Sequence, residues 1–254
     1  MGVHTQQFTR LSLFSGGGGG CLSGALIGFR TVCYVEKDAY CQKVLVQRIK
    51  DKCIDDAPVW DDVTKFNGTP WRGLVDVITG GDPCQNASNA RTHGKTPESL
   101  GDDFIRIIGE IQPKVIIREN PATTRKGATW PADRFKERLV SMGYAAEIIS
   151  VKACCMGANH RRERLFVLGA LADAGGKKLQ GDVGKIMADA ETQGSDSNSC
   201  RPSRWGSAPR VRRAPAGYPN RVDRTKALGN MQVPIVVAAA WSALNDGKIV
   251  TEIS

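Results

Sequence analysis

The chain has 254 residues, of which 41% are hydrophobic and 24% charged, so it is long enough to bury one sizeable core. No apolar run approaches the ~20 residues of a membrane-spanning helix, and no signal-peptide pattern opens the sequence, so we expect a cytoplasmic protein without a membrane anchor. The net charge of +9 is concentrated between Arg201 and Lys226, where eight basic residues accompany a single acid. This local excess predicts binding of a polyanion, above all nucleic acid, although a solvated basic loop would have the same composition.

The cysteines argue against a structural metal. Eight cysteines are spread over the chain, none of them forms a CxxC pair, and only three histidines are present. We therefore expect no zinc site. Cysteines in apolar segments are typical of a reducing cytoplasm, where most of them are small core residues.

The first 36 residues have the layout of a nucleoside-binding half-domain. Residues 9–14 predict a strand, the glycines 16–20 follow at once, and residues 21–29 predict a helix with one apolar face. A second predicted strand, 31–35, ends at Glu36. An acid about 20 residues beyond a glycine turn can accept hydrogen bonds from ribose hydroxyls.

A second pair of acids follows the next elements. Residues 38–50 predict a helix, and residues 59–63 form a strand-like stretch that contains Asp61 and Asp62. An acid at this point could reach an adenine amino group. A surface turn or a helix cap explains the same residues equally well.

An apolar run at 75–79 leads into Gly80-Gly81-Asp82-Pro83-Cys84-Gln85. A cysteine held by a proline after a buried strand is a candidate nucleophile. A free thiol with a pKa of about 8.5 supplies only a few per cent of thiolate at neutral pH, so partners elsewhere must activate it. The polar stretch 86–101 that follows predicts a mobile active-site loop.

The remaining regular elements continue the alternation of helix and strand. The pattern predicts helices at 99–111 and 131–142 and strands at 114–118, 145–151 and 165–168. Residues 170–217 have little periodicity and predict a loop-rich insert, and residues 234–244 predict a closing apolar helix.

This alternation predicts an α/β fold with a doubly wound, mostly parallel sheet. Ligands of such sheets bind at the carboxyl ends of the strands. The glycines, Glu36, Asp62, Cys84 and Glu119 each follow a predicted strand, so we expect them to share one site.

Five segments, in this order, resemble the DNA (cytosine-5)-methyltransferase family, in its short phage or bacterial type. They are a glycine cofactor loop (14–19), a Pro-Cys loop (81–85), a Glu-Asn pair (119–120), an Arg-x-Arg motif (160–164) and a Gly-Asn segment (227–234). The resemblance covers nearly the whole chain except the insert. It implies a Rossmann-like, S-adenosylmethionine-dependent methyltransferase fold that carries a small loop-rich target-recognition lobe.

The resemblance implies attack of a Cys84 thiolate at C6 of cytosine, which makes C5 nucleophilic enough to accept a methyl group. Glu119 would stabilise the ring through N3, which requires burial to raise its pKa, and the arginines would hold the base and the cysteine loop. The implied catalytic residues are Cys84, Glu119, Arg162 and Arg164. The implied residues around S-adenosylmethionine are Phe14, Gly16, Gly18, Gly19, Glu36, Asp62, Val63, Pro83, Leu100 and Asn230.

The implied partner is double-stranded DNA, from which the cytosine must be extruded because stacking hides C6. The protein would act as a monomer with neither a metal nor a membrane. The implied division is a catalytic domain at 1–169, a target-recognition region at 170–218 and a returning segment at 219–254. The candidate DNA contacts are Ser88, Arg91, Arg201, Arg204, Trp205, Arg210, Arg212 and Arg213.

Three residues depart from the family pattern. Asp82 places a negative charge beside the nucleophile, which would raise the pKa of Cys84 unless a cation such as Arg162 offsets it. Arg118 places a cation next to Glu119, which favours the carboxylate over the protonated form. His160 stands where the family has glutamine. These departures leave open a catalytically silent DNA-binding relative, a variant cofactor or, as a separate alternative, cytosine-5 modification of RNA.

Overall fold

The computed structural model describes residues 7–83, 98–121, 132–153 and 162–171, together with Asp223, Gln232, Pro234 and Val237. Within these residues seven strands form one sheet in the order β3-β2-β1-β4-β5-β7-β6. The strands are β1 (Thr9–Leu13), β2 (Arg30–Val35), β3 (Val59–Trp60), β4 (Val77–Gly80), β5 (Val115–Pro121), β6 (Tyr144–Lys152) and β7 (Glu163–Leu171).

Four α-helices connect the described strands. They are α1 (Gly19–Leu26), α2 (Ala39–Lys50), α3 (Glu98–Ile111) and α4 (Ala132–Ser141). The Asp38 side chain caps α2 by accepting hydrogen bonds from the amides of Tyr40 and Cys41, at 3.0 and 3.1 Å. No helix in the described part of the chain is long and apolar enough to cross a membrane.

The strand directions confirm a mostly parallel α/β sheet. The neighbours from β3 to β5 are all parallel, whereas β7 runs antiparallel to both β5 and β6. The carboxyl ends of β1 to β5 therefore share one edge, which we call the carboxyl edge. The amino-terminal end of β7 lies at this edge too, because Arg164 pairs with Pro121. The expected target-recognition lobe at 170–218 lies outside the described residues, apart from the end of β7.

Each face of the sheet is covered by a separate apolar cluster. Ile78 and Ile116 belong to the cluster that contains Phe135 of α4, whereas Val77 and Ile117 belong to the cluster that contains Val237. Side chains alternate between faces along a strand. Residue 118 therefore lies on the α4 face and residue 119 on the opposite face.

β5 extends further than the sequence predicts, and the difference changes the setting of the Glu-Asn pair. The sequence predicts that Glu119 and Asn120 follow the strand. Instead they belong to β5, where they pair with Phe166 and Leu165 of β7. The ladder to β7 satisfies the backbone beyond residue 118, and a partner more than forty residues away leaves no local signal. β7 itself begins at Glu163 and continues through Leu171, two residues past Gly169.

A buried arginine fixes α1 against the sheet. Arg10 of β1 is 1% exposed, and its guanidinium donates to the carbonyl of Gly20 at 2.8 Å and to the hydroxyl of Thr31 at 2.5 Å. A Cβ atom at Gly24 would overlap the same guanidinium. Since backbone carbonyls and a hydroxyl solvate the charge, the helix and the strand must keep their present spacing.

We expect Gly24→Ala to lower the free energy of unfolding by about 1–3 kcal/mol, because the new methyl group displaces Arg10 from its acceptors. Gly109→Ala in α3 is the matched control, since a Cβ there would meet only Met142, at 3.6 Å. The control should be neutral or stabilising by up to about 1 kcal/mol. Urea denaturation measures the free energy of unfolding of both variants. Equal losses in the two variants would contradict the proposal that Arg10 requires a glycine at position 24.

Candidate active site

The described candidate residues converge on the carboxyl edge. The glycine loop follows β1, Glu36 follows β2, Asp62 and Val63 follow β3, and Pro83 follows β4. Glu119 lies near the end of β5, and Arg162 and Arg164 lie at the start of β7. The remaining candidates lie outside the described residues: Cys84, Ser88, Arg91, His160, Arg201, Arg204, Trp205, Arg210, Arg212, Arg213 and Asn230.

The glycine loop turns through left-handed backbone conformations. Gly16 and Gly18 have φ of +54° and +85°, and Phe14 has φ of +51°. Gly18 is the residue that precedes the first turn of α1, which begins at Gly19. A Cβ at Gly16 would point into open space, so only the backbone conformation demands glycine there. The loop therefore leaves room for a ligand to approach its backbone.

Glu36 connects the glycine loop to the end of β2. Its carboxylate accepts hydrogen bonds from the amides of Gly16, at 2.6 Å, and Asp38, at 2.8 Å. Each oxygen keeps a second lone pair that can accept one more donor. The half-buried carboxylate can therefore hold two adjacent hydroxyl groups while it also orders the loop.

Asp62 serves as a cap in this structure. Its Oδ1 accepts from the amide and hydroxyl of Thr64, at 3.0 and 2.8 Å, and Lys37 lies 3.6 Å from Oδ2. Burial opposes ionisation, but the hydrogen bonds from Thr64 and the charge of Lys37 together hold the pKa of Asp62 below its usual value. The cap leaves Oδ2 available for a further donor.

Three apolar candidates, Phe14, Val63 and Leu100, share one core cluster. Val63 is buried in the main core cluster, and Phe14 and Leu100 pack against that cluster. The ring centroid of Phe14 lies 6.0 Å from that of Phe104. Phe14 and Leu100 thus extend this core cluster towards the glycine loop and the start of α3.

The two charged departures form a buried ion pair with each other. Arg118 donates from Nε and Nη2 to the two carboxylate oxygens of Asp82, at 2.6 and 2.8 Å. The residue that offsets Asp82 is therefore Arg118, and the suggestion of Arg162 is wrong. The expectation that Arg118 acts on Glu119 is wrong too, because the two side chains leave opposite faces of β5.

Glu119 is 6% exposed and lies beside Arg164, whose Nε is 2.6 Å from Oε1. The contact is an ion pair rather than an aligned hydrogen bond. Burial raises the pKa of Glu119 above its usual value, and the charges of Arg164 and Arg162 offset only part of that effect. A carboxyl group whose pKa is raised by burial is protonated more readily than a free glutamate, which suits it to proton transfer at this edge.

Gln232 is a site residue that the sequence analysis did not single out. Its side chain hydrogen-bonds to Glu119. A Cβ at Gly81 would lie 3.0 Å from Glu119 Oε2 and 3.1 Å from Gln232 Nε2, so this glycine allows the close packing. Gln232 belongs to the Gly-Asn segment, two residues after Asn230. A polar residue within an apolar run is the sequence feature that could have indicated its role.

The two arginines of the Arg-x-Arg motif lie close together. Burial lowers the pKa of Arg162, and the positive charge of Arg164 adds to this effect. Arg164 is held by Glu119, and the carbonyl of Arg162 accepts a hydrogen bond from the amide of Ala153, at 2.9 Å. The motif therefore places two cationic side chains within reach of an anionic or electron-rich ligand.

The described residues contain no group of three or more His, Cys, Asp or Glu side chains that could hold a metal ion. At the ends of β4, β5 and β7 the charged side chains of the site are Asp82, Arg118, Glu119, Arg162 and Arg164. These residues combine a carboxyl group of raised pKa with two nearby arginines, close to the segment 81–83 that precedes Cys84 in the sequence.

Comparison with known proteins places these residues in one family. The model of the C-5 cytosine-specific DNA methylase family matches residues 8–201. The type II methyltransferase M.CviJI of Paramecium bursaria Chlorella virus IL3A is 34% identical over 66% of this chain and 44% of its own length. M.Eco47II of Escherichia coli is 31% identical over 67% of this chain and 41% of its own length. The chain thus spans less than half the length of these relatives.

Solved structures show the same fold. A protein described as a DNA modification methyltransferase encoded within a prophage of E. coli has a TM-score of 0.53 and 28% identity, over 65% of this chain and 47% of its own. The S. pombe Dnmt2 methyltransferase has a TM-score of 0.52 over 75% of this chain and 56% of its own; its 15% identity supports the fold alone.

The raised pKa of Glu119 predicts a pH-dependent stability. Because the folded state binds this proton more tightly than the unfolded state, folding loses stability as the pH rises from the usual glutamate value through the raised one. We therefore expect Glu119→Gln to gain stability relative to the wild type as the pH is raised from 4 towards 8. Urea denaturation across this range measures the difference.

The matched control is Glu147→Gln, at an exposed carboxylate of β6 whose side chain is 53% exposed. Its free energy of unfolding should follow the wild type at every pH. A constant difference between Glu119→Gln and the wild type would contradict the predicted direction.

Proposed function

The chain belongs to the C-5 cytosine-specific DNA methylase family, and we propose that it transfers a methyl group from S-adenosylmethionine to C5 of an extruded cytosine in double-stranded DNA. The observation that carries the proposal is the setting of Glu119. A buried, readily protonated carboxyl group, held by Arg164 and Gln232, lies where the backbone at Gly81 leads towards Cys84. Cytosine-5 chemistry needs an acid and a thiolate at one site.

The residues near the glycine loop fit S-adenosylmethionine. The open space above Gly16 admits a ligand to the backbone, and Glu36 can accept the two ribose hydroxyls. Phe14, Val63 and Leu100 would contact the adenine ring, and Asp62 its amino group. Gly18, Gly19, Pro83 and Asn230 would complete the site. The bound cofactor would supply an electrophilic methyl group on its sulfonium sulfur.

The first chemical step would be addition of the Cys84 thiolate to C6 of cytosine. A new S–C6 bond forms, the C5–C6 double bond opens, and the electron pair moves through the ring towards N3. Protonated Glu119 would hold a proton at N3 and so stabilise the electron-rich ring, which matches the raised pKa. C5 then has the character of an enamine carbon and can accept a methyl group.

The later steps restore the aromatic ring. After methylation a base must remove the C5 proton, and the S–C6 bond breaks with the electron pair returning to Cys84. Arg164 would keep Glu119 in place throughout, because its guanidinium is paired with Oε1. Arg162 would contribute a second positive charge beside the base.

The proposed DNA contacts follow the charge of the chain. Ser88 and Arg91 would lie near the phosphate of the extruded nucleotide, and the basic residues at 201–213 would contact phosphate or guanine. We propose a monomer acting on duplex DNA in the cytoplasm, divided at 1–169, 170–218 and 219–254. The Asp82–Arg118 pair removes the charge argument for a catalytically silent relative, since neither charge is left uncompensated.

The first test is transfer of labelled methyl groups to duplex DNA, followed by identification of 5-methylcytosine. We expect Cys84→Ser to lower the rate at least about a hundredfold, because the hydroxyl group does not ionise at neutral pH. Cys53→Ser is the matched control, since Cys53 is an exposed free cysteine after α2. DNA containing 5-fluorocytosine should trap a covalent adduct with the wild type and with Cys53→Ser.

Either of two results would contradict the proposal. One is wild-type protein that forms no 5-methylcytosine on any duplex with many cytosines. The other is undiminished methylation by Cys84→Ser. Mass spectrometry of the product base would reveal any group other than methyl, and tRNA tested beside DNA would reveal an RNA substrate.

The second test addresses the cofactor site. We expect Glu36→Ala to raise the Kd for S-adenosylmethionine about 10- to 100-fold, because it removes the charged acceptor of the ribose hydroxyls and releases the Gly16 amide. Asp61→Ala is the control, at an exposed acid next to Asp62, and should leave the Kd unchanged. Isothermal titration calorimetry measures both values, and an unchanged Kd for Glu36→Ala would rule out this binding mode.

A further inference from the structure

The ion pair between Asp82 and Arg118 joins the segment before the nucleophile to the strand that carries Glu119. The ends of β4 and β5 are neighbours, with Gly80 opposite Arg118. Arg118 is 1% exposed and Asp82 is 6% exposed. Two parallel hydrogen bonds from one guanidinium to one carboxylate fix both the distance and the relative orientation of the groups.

Two further contacts hold the pair in place. The side-chain amide of Asn120 donates from Nδ2 to the backbone carbonyl of Asp82, at 3.1 Å, so the backbone of Asp82 is held as well as its side chain. The Arg118 guanidinium carbon lies 4.4 Å from the ring centroid of Phe135, a residue of α4 with no exposed surface. The helix packing thus sets the direction in which the guanidinium points.

The chain proceeds from this fixed point to the nucleophile. Pro83 follows Asp82 and Cys84 follows Pro83. The proline ring limits φ to about −65°, which removes one of the few dihedral angles between the ion pair and Cys84. Arg118 and Glu119 are adjacent in β5. The Asp82–Arg118 ion pair therefore also fixes the position of Asp82, from which the chain continues to Cys84, relative to Glu119.

Each charge of the pair is stabilised in the protein interior by the opposite charge of its partner. Removing one partner would leave a buried, uncompensated charge, whereas replacing both by apolar side chains leaves none. A lone Asp82 would also place a negative charge two residues from the thiolate. An ion pair at the opposite end of the same strands provides a contrast: Lys114 Nζ lies 3.2 Å from Asp76 Oδ1, with Lys114 48% exposed.

We infer that Asp82 and Arg118 act as a single positioning unit that fixes the approach of the Cys84 segment to Glu119. This inference rests on the proposed function. Neither residue contacts the reacting base in this account; they act through the cysteine segment and through β5.

The test is a double-mutant cycle with Asp82→Leu, Arg118→Met and the double variant, together with Arg118→Lys. Lysine keeps the charge but cannot form the two-pronged contact. Single-turnover rates of methylation and of 5-fluorocytosine trapping are measured at a temperature at which circular dichroism shows each variant folded. Lys114→Met is the matched control and should keep the wild-type rate.

We expect each single variant to lose about 10- to 100-fold in the chemical rate, with the KM for S-adenosylmethionine changed by less than about threefold. The double variant should be no slower than the slower single variant. Arg118→Lys should be slowed while its folded fraction stays at the wild-type level. A loss of folding alone would lower the amplitude of the single turnover and leave its rate constant unchanged, so a slower rate constant separates the two causes.

Three results would overturn the inference. They are multiplicative losses in the double variant, a wild-type rate for Arg118→Lys, and wild-type rates for the folded single variants. Wild-type protein that forms neither 5-methylcytosine nor an adduct would overturn the proposed function and this inference with it. A wild type that works and variants that match it would overturn the inference alone.

Discussion

The site depends on charged side chains that are buried at the carboxyl edge, at the ends of the neighbouring strands β4, β5 and β7. Asp82, Arg118, Glu119 and Arg164 are all largely withdrawn from water, so each needs an opposite charge close by. Side-chain alternation along β5 sorts them into two pairs on opposite faces of the sheet. One pair is fully compensated by a two-pronged contact. In the pair of Glu119 and Arg164, burial raises the pKa of Glu119 by more than the arginine charges lower it, so this pKa stays above its usual value.

This separation lets neighbouring residues in β5 perform different tasks. The guanidinium of Arg118 is directed at Asp82 and packs on Phe135, whereas the arginine charges that lower the pKa of Glu119 are those of Arg164 and Arg162. Glu119 faces Gly81 and Gln232, where a side chain larger than that of glycine would be crowded. A two-pronged ion pair and a carboxyl group of raised pKa therefore coexist in adjacent positions of one strand.

In the other half of the site, the glycine loop is held by contacts within the protein. Glu36 accepts hydrogen bonds from two backbone amides, and the buried Arg10 holds α1 through the carbonyl of Gly20. Gly24 leaves the space that the guanidinium of Arg10 occupies. Local bonds of this kind preorganise the loop, so that less ordering remains for the binding step.

The sequence by itself determined the fold class, the order of the motifs and the carboxyl edge as the place where they meet, because strand and helix periodicity and glycine turns are local properties. It placed Glu36 and Asp62 correctly after their strands. It did not show that Glu119 lies within a strand, that Asp82 and Arg118 neutralise each other, or that Gln232 reaches Glu119. Those facts depend on which residues distant in the chain become neighbours and on the face of the sheet from which each side chain leaves. Only the tertiary structure decides them, since burial and pairing arise when β5 lies between β4 and β7.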